Sequence, residues 1–269
     1  MSNWTTAICE TNGIEMHYTR TGGSKPVLIL LHGLTANGAC WTPLARALER
    51  EYDLIMPDAR GHGESSAPDQ GYRYDDHADD VVGLIKGIRL SSPVLLGHSM
   101  GGLTAAVLAS REPNLVGGVI LANPTFLSPE IQRRVFEGDS ADQHRQMLNK
   151  TLQELIAEGR MRHPNRSSEF IELIARARLQ TSIRAFDVLR PPTPDYFQLA
   201  RAIEVRTLLV IGDAGVVSPP VAAELQRINP RIQVEQIPGA SHGVQYDQPD
   251  RFAAAVESFL RSIPIVVES

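Results

Sequence analysis

The sequence of 269 residues predicts an α/β fold in which a mostly parallel sheet is covered by helices on both faces. Short, continuously apolar runs, which are typical of buried parallel strands, alternate along the chain with amphipathic stretches of helical period. From about residue 125 to residue 203 the apolar runs stop, and helical stretches alternate with proline breaks. This change of pattern indicates a helical insertion into one core, and a chain of this length can bury such a core.

The apolar runs define the expected strands. The first two runs alternate polar and apolar residues and are joined by Thr11-Asn12-Gly13, which favours a hairpin at one edge of the sheet. In chain order, the expected strands are Trp4–Glu10, Ile14–Thr19, Pro26–Leu31, Tyr52–Met56, Pro93–Leu96, Leu115–Ala122, Thr207–Ile211 and Gln233–Ile237.

Stretches of helical period separate these strands and imply right-handed crossovers between parallel neighbours. The expected core helices are Trp41–Arg50, Asp75–Ile88, Leu103–Ala109, Pro220–Ile228 and Pro249–Arg261. We therefore assign residues 1–124 and 204–269 to the core and residues 125–203 to a helical cap. Such an insertion lies at the carboxyl ends of the parallel strands, where ligands bind in open α/β sheets.

The motif Gly97-His98-Ser99-Met100-Gly101 stands between an apolar strand and a helix of small residues. A serine at the top of a tight strand-to-helix turn has a strained backbone, and the residues two positions away must be small. Ser99 would then present its Oγ outward, and the N–H of Met100 would point to where negative charge develops. The spacing predicts that Ser99 is a nucleophile.

Three further motifs accompany this turn, namely His32-Gly33-Leu34, the segment from Asp58 to Ser65, and Gly239-Ala240-Ser241-His242. In their order the four motifs resemble those of the α/β-hydrolase family over almost the whole chain. The resemblance implies a mostly parallel eight-stranded sheet with helices on both faces and a helical cap. It also implies the activity of a serine hydrolase.

The resemblance further implies a role for each motif. His242 would take the proton of Ser99 and later return one to the leaving group. The N–H groups of Leu34 and Met100 would form the oxyanion hole, and Gly33 would let the backbone approach the ligand. Apart from the resemblance, Asp58 at a strand end could be a catalytic carboxylate, but the loop from Asp58 to Gly63 favours a structural turn with an internal ion pair.

The acid of the triad has two candidate positions. The family pattern Gly-x-x-Asp, with a proline four residues later, matches Gly212 and Pro219 but has Gly215 at the acid position, and Asp213 comes two residues early. The family's other acid position holds Asn123, which is uncharged and cannot stabilise an imidazolium. The equivalent Asp-to-Asn change in a serine protease costs about four decades of rate. Either Asp213 is the acid, or position 123 is the acid site of a weakened or inactivated form.

Other residues have competing interpretations. Trp41 follows the oxyanion loop and is a candidate for the pocket wall. His17, His77, His144 and His163 are expected at the surface. The cap arginines fit solvated helix faces or, alternatively, a substrate that carries a carboxylate; they include Arg133, Arg134, Arg145, Arg176, Arg178 and Arg184.

Composition excludes several classes of function. A net charge of -5 argues against a nucleic-acid partner, which requires a basic face. Cys9 and Cys40 are too few for a disulfide scaffold or a four-ligand zinc site. No signal peptide and no apolar run long enough to span a bilayer is evident. We expect a cytoplasmic protein that acts on a small molecule without a cofactor, a metal, or a membrane partner; the oligomeric state stays open.

These observations predict a serine hydrolase that cleaves a carboxylic ester or lactone through an acyl-enzyme. The same residues would serve a carbon–carbon bond hydrolase, an amidase or a cofactor-free perhydrolase. Asn123 keeps open a catalytically weakened, ligand-binding member of the fold. A dehalogenase or epoxide hydrolase is disfavoured, because both need a carboxylate nucleophile where Ser99 stands.

Overall fold

A computed structural model describes residues 4–264 of the chain. The described residues form a single sheet of eight strands. The strands are β1 (Thr5–Thr11), β2 (Ile14–Arg20), β3 (Val27–Leu31), β4 (Asp53–Pro57), β5 (Val94–His98), β6 (Gly118–Ala122), β7 (Thr207–Ala214) and β8 (Ile232–Ser241). Their order across the sheet is β1-β2-β4-β3-β5-β6-β7-β8.

The pairing confirms the predicted, mostly parallel sheet of eight strands. β1 and β2 form an antiparallel hairpin, β2 also pairs antiparallel with β4, and the remaining pairs are parallel. Leu31 of β3 pairs with Gly97 of β5, and the neighbouring His98 pairs with Ala122 of β6. The carboxyl ends of these central strands are therefore level, and the residues that follow them meet at one edge of the sheet.

Helices cover both faces of the sheet and fill the interval between β6 and β7. They are α1 (Thr42–Leu48), α2 (Tyr74–Gly87), α3 (Met100–Arg111), α4 (Pro129–Glu137), α5 (Ser140–Met147), α6 (Leu152–Arg162), α7 (Ser168–Leu179), α8 (Tyr196–Ala202), α9 (Pro219–Ile228), α10 (Val244–Asp247) and α11 (Pro249–Ser262). Short 3-10 helices cover Gly38–Trp41 and Ile183–Leu189.

Alternate residues of the strands supply two separate apolar layers, because successive side chains of a strand point to opposite faces. Ile29 and Leu31 of β3 pack with α2 and α3, whereas Leu28 and Leu30 pack with α1 and α11. Both faces are thus buried, which is why the central strands read as continuous apolar runs.

The segment between β6 and β7 contains α4 to α8. In this segment α7 packs directly on the loop that follows β3: Ala177 and Phe170 of α7 join Ala36 and Cys40 in one small apolar cluster. The side-chain amide of Asn37 also donates to the Oε1 atom of Gln180 at 2.9 Å. Helix α7 is therefore fixed above the His32-Gly33-Leu34 motif.

Some expectations about individual side chains are wrong. His77 and His144 are buried rather than at the surface, and His144 Nε2 lies 2.9 Å from the carbonyl oxygen of Thr181. In the loop from Asp58 to Gly63, where an internal ion pair is expected, Asp58 and Arg60 instead pair with residues of other elements. Asp58 contacts His17 Nδ1 at 2.9 Å and accepts the N–H of Gly38 at 2.7 Å.

Arg60 pairs instead with Asp80 of α2. Arg60 Nε donates to Asp80 Oδ2 at 2.6 Å, Nη2 contacts Asp80 Oδ1, and the exposed fractions of the two side chains are 4% and 1%. Removing one member of such a buried pair leaves the other charge uncompensated. The pair therefore holds the turn after β4 against α2.

We expect Asp80→Asn to lower the free energy of unfolding by about 3 kcal/mol or more, because Arg60 then stays buried without an anionic partner. Urea denaturation followed by circular dichroism measures the change. The control is Glu224→Gln, which removes a solvent-exposed partner of Arg227 and should leave the denaturation midpoint unchanged. Equal effects of the two variants would contradict the assignment.

Candidate active site

Ser99 occupies the sharp turn between β5 and α3. Its backbone angles are φ 53° and ψ -113°, a strained conformation for a residue with a side chain. A Cβ atom at Gly97 would lie 2.2 Å from the carbonyl oxygen of Gly101, and a Cβ at Gly101 would lie 2.3 Å from that of Leu31. Only glycine fits these two positions, so the small neighbours expected from the sequence are required by close backbone packing.

His242 follows directly on β8, and its Nε2 lies 2.9 Å from the Oγ of Ser99. Burial lowers the pKa of His242, and the charge of Asp247 opposes this effect. The imidazole is therefore neutral at pH 7, which is the state that can accept a proton. The structure thus brings together the expected nucleophile and the expected base.

The expected oxyanion donors lie on either side of Ser99. Met100 is the first residue of α3, so its N–H has no acceptor within the helix. A Cβ atom at Gly33 would lie 3.2 Å from the Cβ of Ser99, which places the backbone before Leu34 against the nucleophile. His32 holds this loop, because its ring nitrogens contact the carbonyl oxygen of Gly33 and the N–H of Ala59.

The second ring nitrogen of His242, Nδ1, is buried and has no hydrogen-bond partner among the described residues. Asp213 does not reach it. The Asp213 carboxylate accepts the N–H of Gly239 at 2.7 Å and the side-chain amide of Gln236 at 2.9 Å, and these bonds lower its pKa. Asp213 is an exposed residue tied to β8, so the structure does not support it as the acid.

Asn123 lies beside His242 with its amide in a fixed orientation. Its Oδ1 accepts the N–H groups of Val216 at 2.9 Å and Val217 at 3.2 Å, so its Nδ2 must point the other way. Nδ2 lies 3.4 and 3.3 Å from the carbonyl oxygens of Ser241 and His242. The amide therefore turns its donor toward the backbone carbonyl of His242, and its one acceptor oxygen is occupied by Val216 and Val217 rather than by Nδ1–H.

The two candidate acid positions share one space. A Cβ atom at Gly215 would lie 2.2 Å from the Nδ2 of Asn123. Any side chain at position 215 therefore excludes the present side chain at position 123. This steric exclusion explains why the glycine at the usual acid position and the asparagine at the other position occur in the same chain.

Three residues near Ser99 and His242 are not identified by sequence reasoning. Thr125 Oγ1 lies 3.3 Å from the Oγ of Ser99, and His98 Nε2 lies 3.1 Å from the carbonyl oxygen of His242. Burial lowers the pKa of His98 to about 3. Asp247 accepts the N–H of Ser241 at 2.9 Å. Two of the three had a signal in the sequence: His98 lies in the motif around Ser99, and Thr125 lies two residues beyond Asn123 in the same strand-end loop.

Trp41 is not part of a pocket wall. Its exposed fraction is 1%, and it packs with Leu30, Leu44 and other core residues on the face covered by α1 and α11. The sequence position of an aromatic residue soon after the expected oxyanion loop is consistent with the wall of a pocket and with the hydrophobic core. The structure corrects this expectation in favour of the core.

Among residues 4–264, no group of three or more His, Cys, Asp or Glu side chains could hold a metal ion. Within the same range, no helix has the length and apolar character needed to cross a membrane.

A family model for the alpha/beta hydrolase fold matches residues 26–249. The N-formylmaleamate deformylase of Pseudomonas putida is 30% identical over 264 residues, which cover 93% of this chain and 94% of the relative. The crystal structure of E-2-(acetamidomethylene)succinate hydrolase superposes with a TM-score of 0.83 at 25% identity and covers 96% of this chain and 100% of that one. A malate-bound thermophilic esterase from Thermogutta terrifontis has a TM-score of 0.77 at 29% identity, with coverages of 96% and 98%.

We expect Asn123→Asp to increase the rate of single-turnover acylation by up to about 10⁴-fold, because a carboxylate can accept a hydrogen bond from Nδ1–H and stabilise the imidazolium. Stopped-flow release of p-nitrophenol from p-nitrophenyl acetate measures it. Asp213→Asn is the matched control and should leave the rate unchanged. A collapse of the rate in the control, with no gain at position 123, would place the acid at Asp213.

The pH profile provides a second measurement. Because burial lowers the pKa of His242, kcat/KM should lose activity only below the ordinary histidine value of about 6.5. A carboxylate at position 123 favours the charged imidazolium and raises this pKa, so the acid limb of Asn123→Asp should move to higher pH. A limb at the same pH in both proteins would show that position 123 does not act on His242.

Proposed function

Because the chain belongs to the alpha/beta hydrolase fold family, we propose that it is a serine hydrolase that cleaves carboxylic esters or lactones through an acyl-enzyme on Ser99. The observation that carries this proposal is the 2.9 Å contact between Ser99 Oγ and the neutral His242 Nε2. The strained backbone of Ser99 supports it, because such strain persists where function requires it. The relatives are hydrolases, which supports hydrolytic chemistry for this chain as well.

The reaction follows from these positions. His242 Nε2 takes the hydroxyl proton while Ser99 Oγ attacks the carbonyl carbon, and the N–H groups of Leu34 and Met100 receive the negative oxygen. The intermediate collapses, the imidazolium returns its proton to the departing alcohol oxygen, and the acyl group stays on Ser99. A water molecule, deprotonated by His242, then attacks the ester and releases the carboxylic acid.

The environment of His242 favours substrates with good leaving groups. No carboxylate holds the Nδ1–H tautomer among the described residues, and the nearby Asp247 is engaged by Arg166, whose Nε and Nη2 lie 2.9 and 2.7 Å from Asp247 Oδ1. The imidazolium formed during attack is thus poorly compensated. Activated esters and lactones need the least help from the base, which is why we propose them ahead of amides.

Amide hydrolysis is the second candidate. It is favoured by the relationship to N-formylmaleamate deformylase, which extends over nearly the whole of both chains. The similarity to E-2-(acetamidomethylene)succinate hydrolase, whose name contains an acetamido group, favours it as well. Turnover of an N-acyl substrate, with no turnover of the oxygen ester of the same acid, would favour this candidate over the first.

The nucleophile can be tested by labelling. A fluorophosphonate should modify Ser99 with parallel loss of p-nitrophenyl acetate turnover, and peptide mass spectrometry identifies the labelled residue. An unlabelled and fully active protein would refute the proposal. A protein that carries no label, has no turnover and binds ligands would be the catalytically weakened member of the fold.

The size of the Ser99→Ala effect tests the state of the triad. In a complete triad, removing the serine lowers kcat by about 10⁶-fold, whereas removing the acid alone lowers it by about 10⁴-fold. Here we expect Ser99→Ala to lower kcat by only about 10²-fold, and by far more in the Asn123→Asp background. Equal effects of Ser99→Ala in the two backgrounds would show that the acid position contributes nothing.

A further inference from the structure

A cleft of about 380 Å³ lies under the cap beside the oxyanion loop. Thr35, the residue after Leu34, lines it together with side chains of α5, α6 and α7. Consecutive Cα atoms are about 3.8 Å apart, so the cleft begins within one residue of the expected oxyanion donor. Part of a substrate held at Ser99 can therefore extend into it.

The charges that line this cleft are mainly positive. Lys150, Arg162 and Arg178 contribute cations, and Glu158 is the one acidic residue among the described lining residues. Glu158 is already engaged, because Lys150 Nζ lies 2.5 Å from its Oε1. The charge of Glu158 also acts on Arg178, but neither guanidinium group forms an ion pair with a described residue, so the cleft keeps an excess of positive charge.

Arg178 differs from the other arginines of α7 and its neighbours. Arg176 pairs with Glu172 at 2.6 Å, and Arg166 pairs with Asp247 at 2.7 Å. The Arg178 side chain is partly buried, and its guanidinium has no hydrogen bond or ion pair to any described residue. Burial, together with the charges of Arg162 and Arg166, lowers its pKa. A partly buried cation without a partner is costly, so a site that keeps one is suited to an anionic ligand.

The position of Arg178 is fixed by its neighbours on α7. Ala177 packs against Ala36 and Cys40, and Gln180 accepts the amide of Asn37 at 2.9 Å. Its charge also acts on the buried thiol of Cys40, in the segment that follows the oxyanion loop. Arg178 is therefore held at a constant place relative to the expected oxyanion hole, as a specificity-determining residue must be.

We propose that Arg178, with Arg162 at the mouth of the cleft, binds a carboxylate of the substrate, so that the preferred substrate is a short-chain ester or lactone that carries a free carboxylate. The planar guanidinium matches the two carboxylate oxygens with parallel N–H donors. This inference rests on the proposed function of Ser99 for its reaction but not for its binding step. It assigns the cleft to substrate selection.

The test compares two esters of one chain length, p-nitrophenyl hydrogen adipate and p-nitrophenyl methyl adipate, of which only the first is an anion. Arg178→Met keeps the apolar stem of the side chain and removes the charge. It should lower kcat/KM for the anionic ester by about 10- to 100-fold and leave the neutral ester within about twofold. Arg176→Met, on the same helix, is the matched control and should change neither value.

Equal losses for both esters, or no loss for the anionic one, would overturn the proposal. Arg178→Lys keeps the positive charge but lacks the two parallel N–H donors of the guanidinium. Its decrease in kcat/KM for the anionic ester should therefore be smaller than that of Arg178→Met. A thermal melt of each variant shows whether it is folded. If Arg178→Met is unfolded, Arg178→Lys decides the question. Its decrease in kcat/KM must then be confined to the anionic ester.

Binding without chemistry separates this inference from the proposed function. Calorimetry with the adipate dianion on Ser99→Ala should show binding that Ser99→Ala/Arg178→Met loses. If Ser99→Ala binds adipate in this way but a fluorophosphonate does not label the unsubstituted protein, the carboxylate site is upheld and the nucleophile is refuted. A labelled, active protein that binds no adipate and does not distinguish the two esters would uphold the nucleophile and refute the carboxylate site.

Discussion

The close approach of helix α3 to strands β5 and β3 is the constraint on which the site depends. At Gly97 and Gly101 the backbones approach so closely that a Cβ atom would collide with a carbonyl oxygen. Between these two glycines the chain reverses at Ser99, which has a positive φ. The same geometry places the N–H of Met100 at a helix start and Gly33 against Ser99. One packing contact between backbones thus brings Ser99, the start of α3 and the loop after β3 together.

The charge distribution around this turn is uneven. On one side, burial lowers the pKa of His242, its ring Nδ1 has no partner among the described residues, and the amide of Asn123 contacts its backbone carbonyl oxygen. On the other side, the cleft lined by α5, α6 and α7 carries three cations, Lys150, Arg162 and Arg178, against one anion among the described lining residues, Glu158, which Lys150 engages. A substrate that brings its own carboxylate would supply negative charge to a site whose protein groups provide little, at a place fixed by α7.

Much of the fold and part of the site could be predicted from the sequence. The apolar runs identify the strands because burial on both faces demands them, and Ser99 and His242 are marked by local glycine patterns. The choice between Asp213 and Asn123 could not be made, because it depends on hydrogen bonds to residues more than twenty positions away, such as Asp213 to Gly239. The prediction that Trp41 lines a pocket is wrong, because burial in the core leaves no local sequence pattern. Arg178 could not be singled out, because the lack of an ion-pair partner leaves no such pattern either.

The shared space of positions 123 and 215 has an evolutionary consequence. On the present backbone a side chain at 215 would collide with the side chain now at 123, which disfavours a carboxylate at both strand ends at once. Transfer of a carboxylate from one strand end to the other then favours an intermediate with no carboxylate at either. The pair Asn123 and Gly215 has this composition, and since aspartate and asparagine codons differ by one base, a single substitution separates this chain from one with an acid at position 123.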